Sequence, residues 1–314
     1  AAALAAALRA AVPAAGALLA DMGAEVIQVV RPVAKQSASR PANVDLRGRR
    51  SLAVDLKNPL AIDAVLKLCE TADGLIEGYR PGVMERLGLG PQDCMERNPK
   101  LVYGRITGWG QDGPWAQQAG HDINYLALSG AMHNLGRRGE KPAIPLNLVA
   151  DYGGGGMFLA FGLLCGILES QNSGQGQVVD TAMVDGVAAL QALHYQYYNQ
   201  ELFAEPGEHI LGGGHHSYEV YETSDGKYVT IGALETKFYD ELIEKLGLNR
   251  EQFNGKAALG GQASSEEVEH LQEVIAAVFK TRTRAEWCAV FEDSDACFAP
   301  VLSPHEAAEH PHNK

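Results

Sequence analysis

Short apolar runs alternate with helical patterns over the first 185 residues of this 314-residue chain, and this alternation constrains the fold more than any other feature. Strand-like runs lie at five places, residues 25–30, 51–56, 74–79, 101–110 and 177–184. Strands that are joined through a helix pair in parallel, because the crossover returns the chain to the same end of the sheet. The sequence therefore predicts a parallel, doubly wound α/β sheet.

A β-hairpin is predicted in the second half of the chain. The segment YEVYETSDGKYVTIGAL alternates apolar and polar residues on both sides of Asp225-Gly226, a dipeptide that favours a tight hairpin turn. Helical patterns follow at 236–247, 265–280 and 283–292. A hairpin followed by separate helices is typical of a small α+β domain.

A change of composition marks the boundary between these regions. Aromatic and amide side chains dominate a helical stretch at 186–203, and glycine, proline and histidine dominate 205–216. We therefore predict a large domain over residues 1–185, a linker over 186–214 and a small domain over 215–314.

Charge and cysteine spacing exclude several classes of protein. With 26 Lys and Arg against 39 Asp and Glu, the chain has a formal net charge of −13 and lacks the positive field that nucleic acids and anionic membranes require. The five cysteines have no C-x-x-C spacing, which indicates neither a zinc site nor a disulfide framework. We expect no nucleic-acid partner and no bound metal.

The longest apolar stretch, Met157 to Leu168, predicts a buried helix. It is shorter than the roughly 20 residues of a membrane-spanning helix, and Gly162 and Gly166 interrupt it. The apolar start of the chain has no basic residues before it and no clear cleavage site, so we expect no secretory signal. No membrane partner is expected.

His121 and Asp122 lie where a helix is predicted to begin. The Gly120-His121-Asp122 sequence precedes a run with apolar residues at helical spacing. Free backbone N–H groups at such a position can bind an oxyanion. The alternative from spacing alone is that Asp122 only caps the helix and His121 is a surface loop residue.

Asp151 and Glu235 are two further candidate carboxylates. Asp151 precedes four glycines and is an N-cap candidate; because no Gly-Lys-Ser/Thr follows, the segment is not a phosphate loop. Glu235 follows the apolar run VTIGAL. Helix capping for Asp151 and a solvated loop for Glu235 remain open alternatives. Two bases on different segments would suit a reaction that removes a proton from one face of a carbon and returns it to the other.

Four cationic residues follow or flank predicted strands of the large domain and could bind phosphate groups, the alternative being simple solvation: Arg31, Lys57, Arg80 and Arg86.

Several motifs together resemble a known family. They are GHDINYLALSG at 120–130, PLNLVADYGGGGMFLAFG at 145–162, SGQGQVVDTAMVDG at 173–186, LIEGYRPGVMERLGLGP at 75–91 and YVTIGALETKFY at 228–239. The chain, from about Pro13 to its C-terminus, resembles the family III coenzyme A transferases and, within them, the alpha-methylacyl-CoA racemases.

The resemblance implies the following roles. His121 and Asp151 would be the two acid/base residues on opposite sides of the carbon alpha to a thioester, and Glu235 would be hydrogen-bonded to His121. The N–H of Asp122 would stabilise the enolate oxygen. No metal, flavin or nicotinamide is implied. The coenzyme A contacts would be Arg31, Val54, Leu56, Lys57, Glu77, Gly78, Tyr79, Arg80, Arg86, and Gly120 through Tyr125.

The resemblance also implies a Rossmann-like large domain, a small α+β domain and an interlocked homodimer in which Glu235 is supplied across the subunit boundary. Relatives continue for several dozen residues beyond the point where HPHNK ends this sequence, so we expect a C-terminal return segment to be absent from it. A cytoplasmic location is expected, or a mitochondrial or peroxisomal one in a eukaryote. His215 and His216 stand where relatives have small or aromatic residues.

Three functions stay open at this stage. The first is a racemase that interconverts (2R)- and (2S)-2-methylacyl-CoA by proton transfer through an enolate. The second is a coenzyme A transferase that uses Asp151 as a nucleophile. The third is a non-catalytic acyl-CoA binding protein.

Overall fold

A computed structural model describes residues 4–32, 44–200 and 205–314. The chain divides into two compact units. The first unit comprises Ala1–Met132 and Ile144–Asn199, and the second comprises His133–Ala143 and Gln200–Lys314.

The first unit is an α/β unit. Its strands are β1 (Val26–Val30), β2 (Arg49–Ala53), β3 (Gly74–Glu77), β4 (Val102–Thr107) and β5 (Val178–Ala182). Its helices are α1 (Leu4–Asp21), α2 (Pro59–Cys69), α3 (Val83–Arg86), α4 (Pro91–Arg97), α5 (Asp122–Leu128), α6 (Phe158–Ser173), α7 (Met183–Leu190) and α8 (Ala192–Asn199), with a π-helix at Leu148–Met157 before α6.

All strand pairs in the described part of the first unit are parallel, which confirms the prediction from alternation. The strands form two sheets, β1-β2 and β3-β4-β5, whereas the sequence predicted a single sheet. Among the described strands, no backbone hydrogen bonds of a β-ladder join the two sheets. Side chains connect the two sheets instead, because Val54 after β2 and Leu75 in β3 pack on the same apolar cluster around Val65, Met84 and Leu89. The central strand β4 is buried along its whole length.

The π-helix and α6 form one helical segment of 26 residues, Leu148–Ser173, which is longer than the buried helix predicted from 157–168. By length and composition alone this segment could cross a membrane. However, 44% of its most apolar stretch of 18 residues is buried within the protein, and α6 packs on β4 and β5. The prediction of a buried helix holds for only part of its surface, because its outer face is exposed at Met157, Phe161, Leu164 and Leu168.

Glycines let the π-helix approach α7 backbone to backbone. A Cβ added at Gly186 would lie 1.9 Å from the carbonyl oxygen of Gly154, and one added at Gly154 would lie 2.7 Å from the backbone nitrogen of Val187. Such distances are far below van der Waals contact, so both positions require glycine. On another side, a Cβ at Gly156 would lie 3.0 Å from the carbonyl oxygen of Ala11 in α1. The glycine run therefore serves close helix packing.

The second unit contains an antiparallel sheet of order β6-β7-β8. Its strands are β6 (Tyr218–Glu222), β7 (Tyr228–Gly232) and β8 (Phe298–Pro300), and its helices are α9 (Thr236–Lys245), α10 (Arg250–Phe253), α11 (Ser265–Phe279), α12 (Arg284–Val290) and α13 (Pro304–Glu309). The predicted hairpin at Asp225-Gly226 is confirmed, with Gly226 at a positive φ of 71°. Strand β8 was not predicted, because three residues carry too little alternation. The sheet and helices enclose a core that includes Phe279 and Trp287.

The two units divide at other positions than the predicted domains. Helices α7 and α8 belong to the first unit, and 133–143 belongs to the second. Arg137 forms an ion pair with Glu219, and Arg138 forms one with Glu208 at 3.0 Å, which ties this segment to the second unit. Residues 201–204 of the predicted linker lie outside the described residues.

We predict that Gly186→Ala lowers the free energy of unfolding by about 1–3 kcal/mol, because overpacking forces the π-helix and α7 apart. The matched control is Gly153→Ala in the same π-helix, where the nearest atoms lie 3.3 and 3.4 Å from the added Cβ. We expect this control to change stability by less than about 1 kcal/mol. Urea unfolding of both variants checks the prediction, and equal losses would contradict it.

Candidate active site

His121 is the N-cap of α5, so His121 and Asp122 lie at the start of a helix, as the sequence predicts. Its backbone is extended, with φ −135° and ψ 173°, and its N–H donates to Oδ1 of Asn124 at 3.1 Å. The residue is exposed, so its imidazole is available to a substrate. Asp122 follows as the first helical residue, and the alternative that Asp122 is the N-cap is wrong.

The Asp122 side chain reaches the π-helix. Its Oδ2 accepts hydrogen bonds from the backbone N–H groups of Ala150 and Asp151, both at 2.8 Å. Asp122 is 4% exposed. One carboxylate therefore fixes the backbone that carries Asp151 to the start of α5, next to His121.

Asp151 lies inside the first turn of the π-helix, and the alternative that it caps a helix is wrong, because Asn147 is the N-cap. Asp151 is 4% exposed. Its Oδ2 accepts a long hydrogen bond from Nδ2 of Asn147 at 3.4 Å. Its Oδ1 has no hydrogen-bond partner among the described residues. A buried carboxylate oxygen without a partner is free to take a proton.

The electrostatic environment makes Asp151 a stronger base than an ordinary carboxylate. Burial, as the largest cause, raises its pKa from 3.8 to about 6, and the negative charge of Asp122 acts in the same direction. The hydrogen bond from Asn147 and the positive charge of protonated His121 lower this pKa. His121 and Asp151 are therefore close enough to interact electrostatically within one unit.

The backbone before Asp151 is unusual. Leu146 has a positive φ of 57°, a conformation that costs free energy for a residue with a side chain. Ten-residue π-helices are rare, and π-helical turns occur preferentially at functional sites. The site thus combines a strained residue, a π-helix and a buried carboxylate within six residues.

Aromatic rings pack beside the start of α5. Tyr125 contacts Trp109 edge to face, with ring centroids 4.7 Å apart. A Cβ added at Gly108 would lie 2.2 Å from the Tyr125 ring, and one at Gly120 would lie 2.7 Å from it. Burial raises the pKa of Tyr125, and the charges of Asp151 and Asp122 add to this, so its phenol stays protonated near the two carboxylates.

The residues expected to contact coenzyme A follow strands of the first unit. Arg31 follows β1, the segment 54–57 follows β2, and 78–80 follows β3. Parallel strands expose their ligand-binding edge at these carboxyl ends. The four expected cations are exposed, and none of them forms an ion pair with the described residues: Arg31, Lys57, Arg80 and Arg86.

Glu77 is buried and supports the segment that follows β3. Its Oε2 accepts a hydrogen bond from the backbone N–H of Tyr79 at 2.7 Å, and its Oε1 accepts one from Nε of Arg105 at 3.3 Å. Arg105 also donates to Glu85 at 2.6 Å. Burial is the main cause that raises the pKa of Glu77. Sequence reasoning missed Arg105, because it lies in the middle of an apolar strand.

Glu235 lies in the second unit, as the exposed N-cap of α9. Its hydrogen bond to His121 stays a prediction. His216 and His215 are buried: Nε2 of His216 lies 2.8 Å from the Tyr239 hydroxyl, and Nδ1 of His215 lies 2.8 Å from Oγ of Ser217. Burial lowers the pKa of His216 to about 3 and that of His215 to about 4. Among the described residues, no three His, Cys, Asp or Glu side chains converge as metal ligands would.

Comparison with known proteins identifies the family. The model for CoA-transferase family III matches residues 4–314. The chain belongs to this family. It is 44% identical over 303 residues to alpha-methylacyl-CoA racemase of Mus musculus, which covers 96% of this chain and 77% of the mouse protein. It is 42% identical over 298 residues to alpha-methylacyl-CoA racemase of Homo sapiens, which covers 95% of this chain and 75% of the human protein.

A solved structure has the same fold. The crystal structure of Rv3272, a hypothetical protein from Mycobacterium tuberculosis, superposes with a TM-score of 0.78 and 28% sequence identity, covering 96% of this chain and 83% of that one. The mixed α/β architecture is therefore that of family III.

We predict that Asp151 couples stability to pH. A carboxyl whose pKa is raised on folding stabilises the fold below its unfolded value of about 3.8, and this stabilisation is lost as the pH rises through about 6. Asp151→Asn has no such titration. The free energy of unfolding of the wild type, relative to Asp151→Asn, should therefore fall between about pH 4 and pH 7 in urea titrations. A difference that is constant over this range would contradict the assignment.

Proposed function

We propose that this protein is an alpha-methylacyl-CoA racemase, which interconverts (2R)- and (2S)-2-methylacyl-CoA thioesters by proton transfer at the α-carbon. The observation that carries this proposal is the pair of His121 and Asp151, an exposed imidazole and a buried carboxylate with a free oxygen, both fixed at the start of α5. The names of the mouse and human relatives support the same activity.

The chemistry requires two proton-transfer groups. One base removes the α-proton, and the electron pair of the C–H bond moves into the thioester to give an enolate. The second group then donates a proton to the opposite face of the same carbon, and the negative charge on oxygen is lost as the thioester re-forms. His121 and Asp151 exchange these roles according to the enantiomer, so no cofactor takes part.

The enolate oxygen needs a hydrogen-bond donor that is already in place. The N–H of Asp122 lies in the first turn of α5, where no carbonyl of a preceding turn can accept it. We assign this N–H to the thioester oxygen. A fixed donor there stabilises the enolate more than the neutral thioester, and this difference accelerates the reaction.

The exposed cations at the carboxyl ends of β1 to β3 are assigned to the phosphate groups of coenzyme A. They provide local positive charge on a chain whose net charge is −13. Glu77 contributes by accepting a hydrogen bond from the N–H of Tyr79, which holds the segment after β3 in place. Coenzyme A enters as part of the substrate, and the reaction proposed here uses no metal or other cofactor.

The quaternary arrangement belongs to the same proposal. The family resemblance supports an interlocked homodimer in which Glu235 of the partner subunit accepts a hydrogen bond from His121 and orients its ring. The exposed position of Glu235 at the N-terminus of α9 is compatible with this contact. A cytoplasmic location, or a mitochondrial or peroxisomal one, stays a prediction.

A coenzyme A transferase is the second candidate, and one observation favours it. The free Oδ1 of Asp151 could attack a thioester to form an acyl anhydride, with the coenzyme A thiolate as leaving group. A relative that is 34% identical over 258 residues is described as a probable fatty acyl-CoA transferase, Rv3272 of M. tuberculosis. Hydroxylamine trapping of an acyl group on Asp151 during turnover would support a transferase, and an untrapped enzyme would support the racemase.

We predict opposite stereochemical defects for two variants. His121→Ala should lose exchange of the α-proton of one enantiomer in deuterated water by about 100-fold or more, the usual contribution of a positioned general base, and retain more exchange of the other. Asp151→Asn should show the reverse preference. NMR of each enantiomer separately measures the exchange. Equal losses for both enantiomers in both variants would show that the two bases do not act on opposite faces.

We also predict that Arg80→Gln raises KM for a 2-methylacyl-CoA by about tenfold, the effect of losing one charge-assisted hydrogen bond, and leaves kcat nearly unchanged. Lys100→Gln is the control, since it removes one exposed charge just before β4, at the opposite end of the sheet. A steady-state assay at fixed ionic strength compares them. If the control raises KM as much as Arg80→Gln, the effect is one of net charge and not of phosphate binding.

A further inference from the structure

The carboxylate of Asp122 bonds to a segment 28 residues away in the chain. Its Oδ2 accepts the N–H groups of Ala150 and Asp151, both at 2.8 Å. These N–H groups lie in the first turn of the π-helix, where no preceding carbonyl is available to them. Asp122 thus caps backbone N–H groups at the start of the π-helix, although it belongs to α5.

The two hydrogen bonds do not require a charged residue at this position. An asparagine at 122 could accept both N–H groups with its single carbonyl oxygen, which has two lone pairs. A buried carboxylate has a larger desolvation cost than an amide, and burial raises the pKa of Asp122 accordingly. The second oxygen, Oδ1, has no hydrogen-bond partner among the described residues. The two hydrogen bonds therefore engage only one oxygen of Asp122, and the charge of the carboxylate is left to act on the groups nearby.

The groups around Asp151 show where this charge acts. The titratable side chains that face Asp151 are Asp122 and Tyr125 on α5, His121 before it, and Tyr152 on the π-helix itself. In the described residues, α7 and α1 approach the π-helix through Gly186, Met183 and small alanines, which are uncharged. Asp122 is the one negative group in this set besides Asp151.

We propose, on the basis of the proposed function, that Asp122 is a positioning residue: its carboxylate holds Asp151 in place, and its negative charge makes Asp151 a stronger proton acceptor. This matters for a reaction that runs in both directions. A carboxyl ordinarily has a pKa near 4 and an imidazole one near 6.5, a mismatch of about 2.5 units that would favour one direction of proton transfer. A neighbouring anion raises the pKa of the carboxyl and so brings it closer to the pKa of the imidazole.

The test is the titration of Asp151 in the full chain. The 13C resonance of the Asp151 carboxyl, assigned by its loss in Asp151→Asn, is followed against pH in the wild type and in Asp122→Asn. We expect the midpoint in Asp122→Asn to fall by about 1 pH unit, the size of a like-charge effect at close range. The pH below which α-proton exchange becomes slow should also be lower in Asp122→Asn than in the wild type.

Asp73→Asn is the matched control, because it removes one exposed negative charge before β3 and leaves the site intact. Its midpoint should equal that of the wild type. An unchanged midpoint in Asp122→Asn, or equal shifts in Asp122→Asn and Asp73→Asn, would overturn the proposal.

The test stays decisive if Asp122→Asn does not fold, and also if the protein shows no turnover. If Asp122→Asn does not fold, His121→Ala still reports the interaction, because it lacks the imidazole and keeps both carboxyls. Two coupled carboxyls titrate in two steps, so the Asp151 resonance in this variant should show two inflections; a single inflection would overturn the proposal. The titration does not need turnover. A wild type that never exchanges the α-proton would therefore refute the proposed function, whereas the carboxyl midpoints test Asp122 separately.

Discussion

The burial of Asp151 depends on the contact between two helix backbones at Gly154 and Gly186. Each of these glycines lies where the other helix leaves no room for a Cβ. The contact brings the π-helix against α7 and places its first turn within reach of the Asp122 carboxylate. Asp151 is consequently held by backbone on one side and by a carboxylate on the other, and its own side chain keeps one oxygen free.

The two groups that we propose transfer protons lie in different environments. His121 is exposed at the end of a loop, whereas Asp151 is buried and its pKa is raised to about 6. A carboxylate in water, with a pKa near 4, is a weaker base than a carboxylate whose pKa is raised. Burial and a neighbouring negative charge make this difference without a change of residue type. The fold thereby raises the basicity of Asp151 through burial and through the distance to a neighbouring negative charge.

Periodicity and turn chemistry predicted the parallel strands, the hairpin at Asp225-Gly226 and the helix that begins after His121, because these are local signals. The π-helix was not predicted from periodicity or turn chemistry, and its long-range contacts with α7 and α1 cannot be read from local spacing. Local spacing likewise made Asp151 a candidate N-cap, whereas the N-cap is Asn147. The bond from Asp122 to residues 150 and 151 is a long-range contact that spacing does not contain, and the roles of His121 and Asp151 came from family resemblance.

The most direct measurement uses the wild-type protein and one enantiomer of a 2-methylacyl-CoA in deuterated water, with α-deuterium content and chirality followed together. The account predicts that deuterium enters the α-position as optical purity is lost, because each inversion passes through an enolate that accepts a solvent-derived proton. Exchange of the thioester with an added free acid, without deuterium at the α-carbon, would contradict it and would identify a transferase.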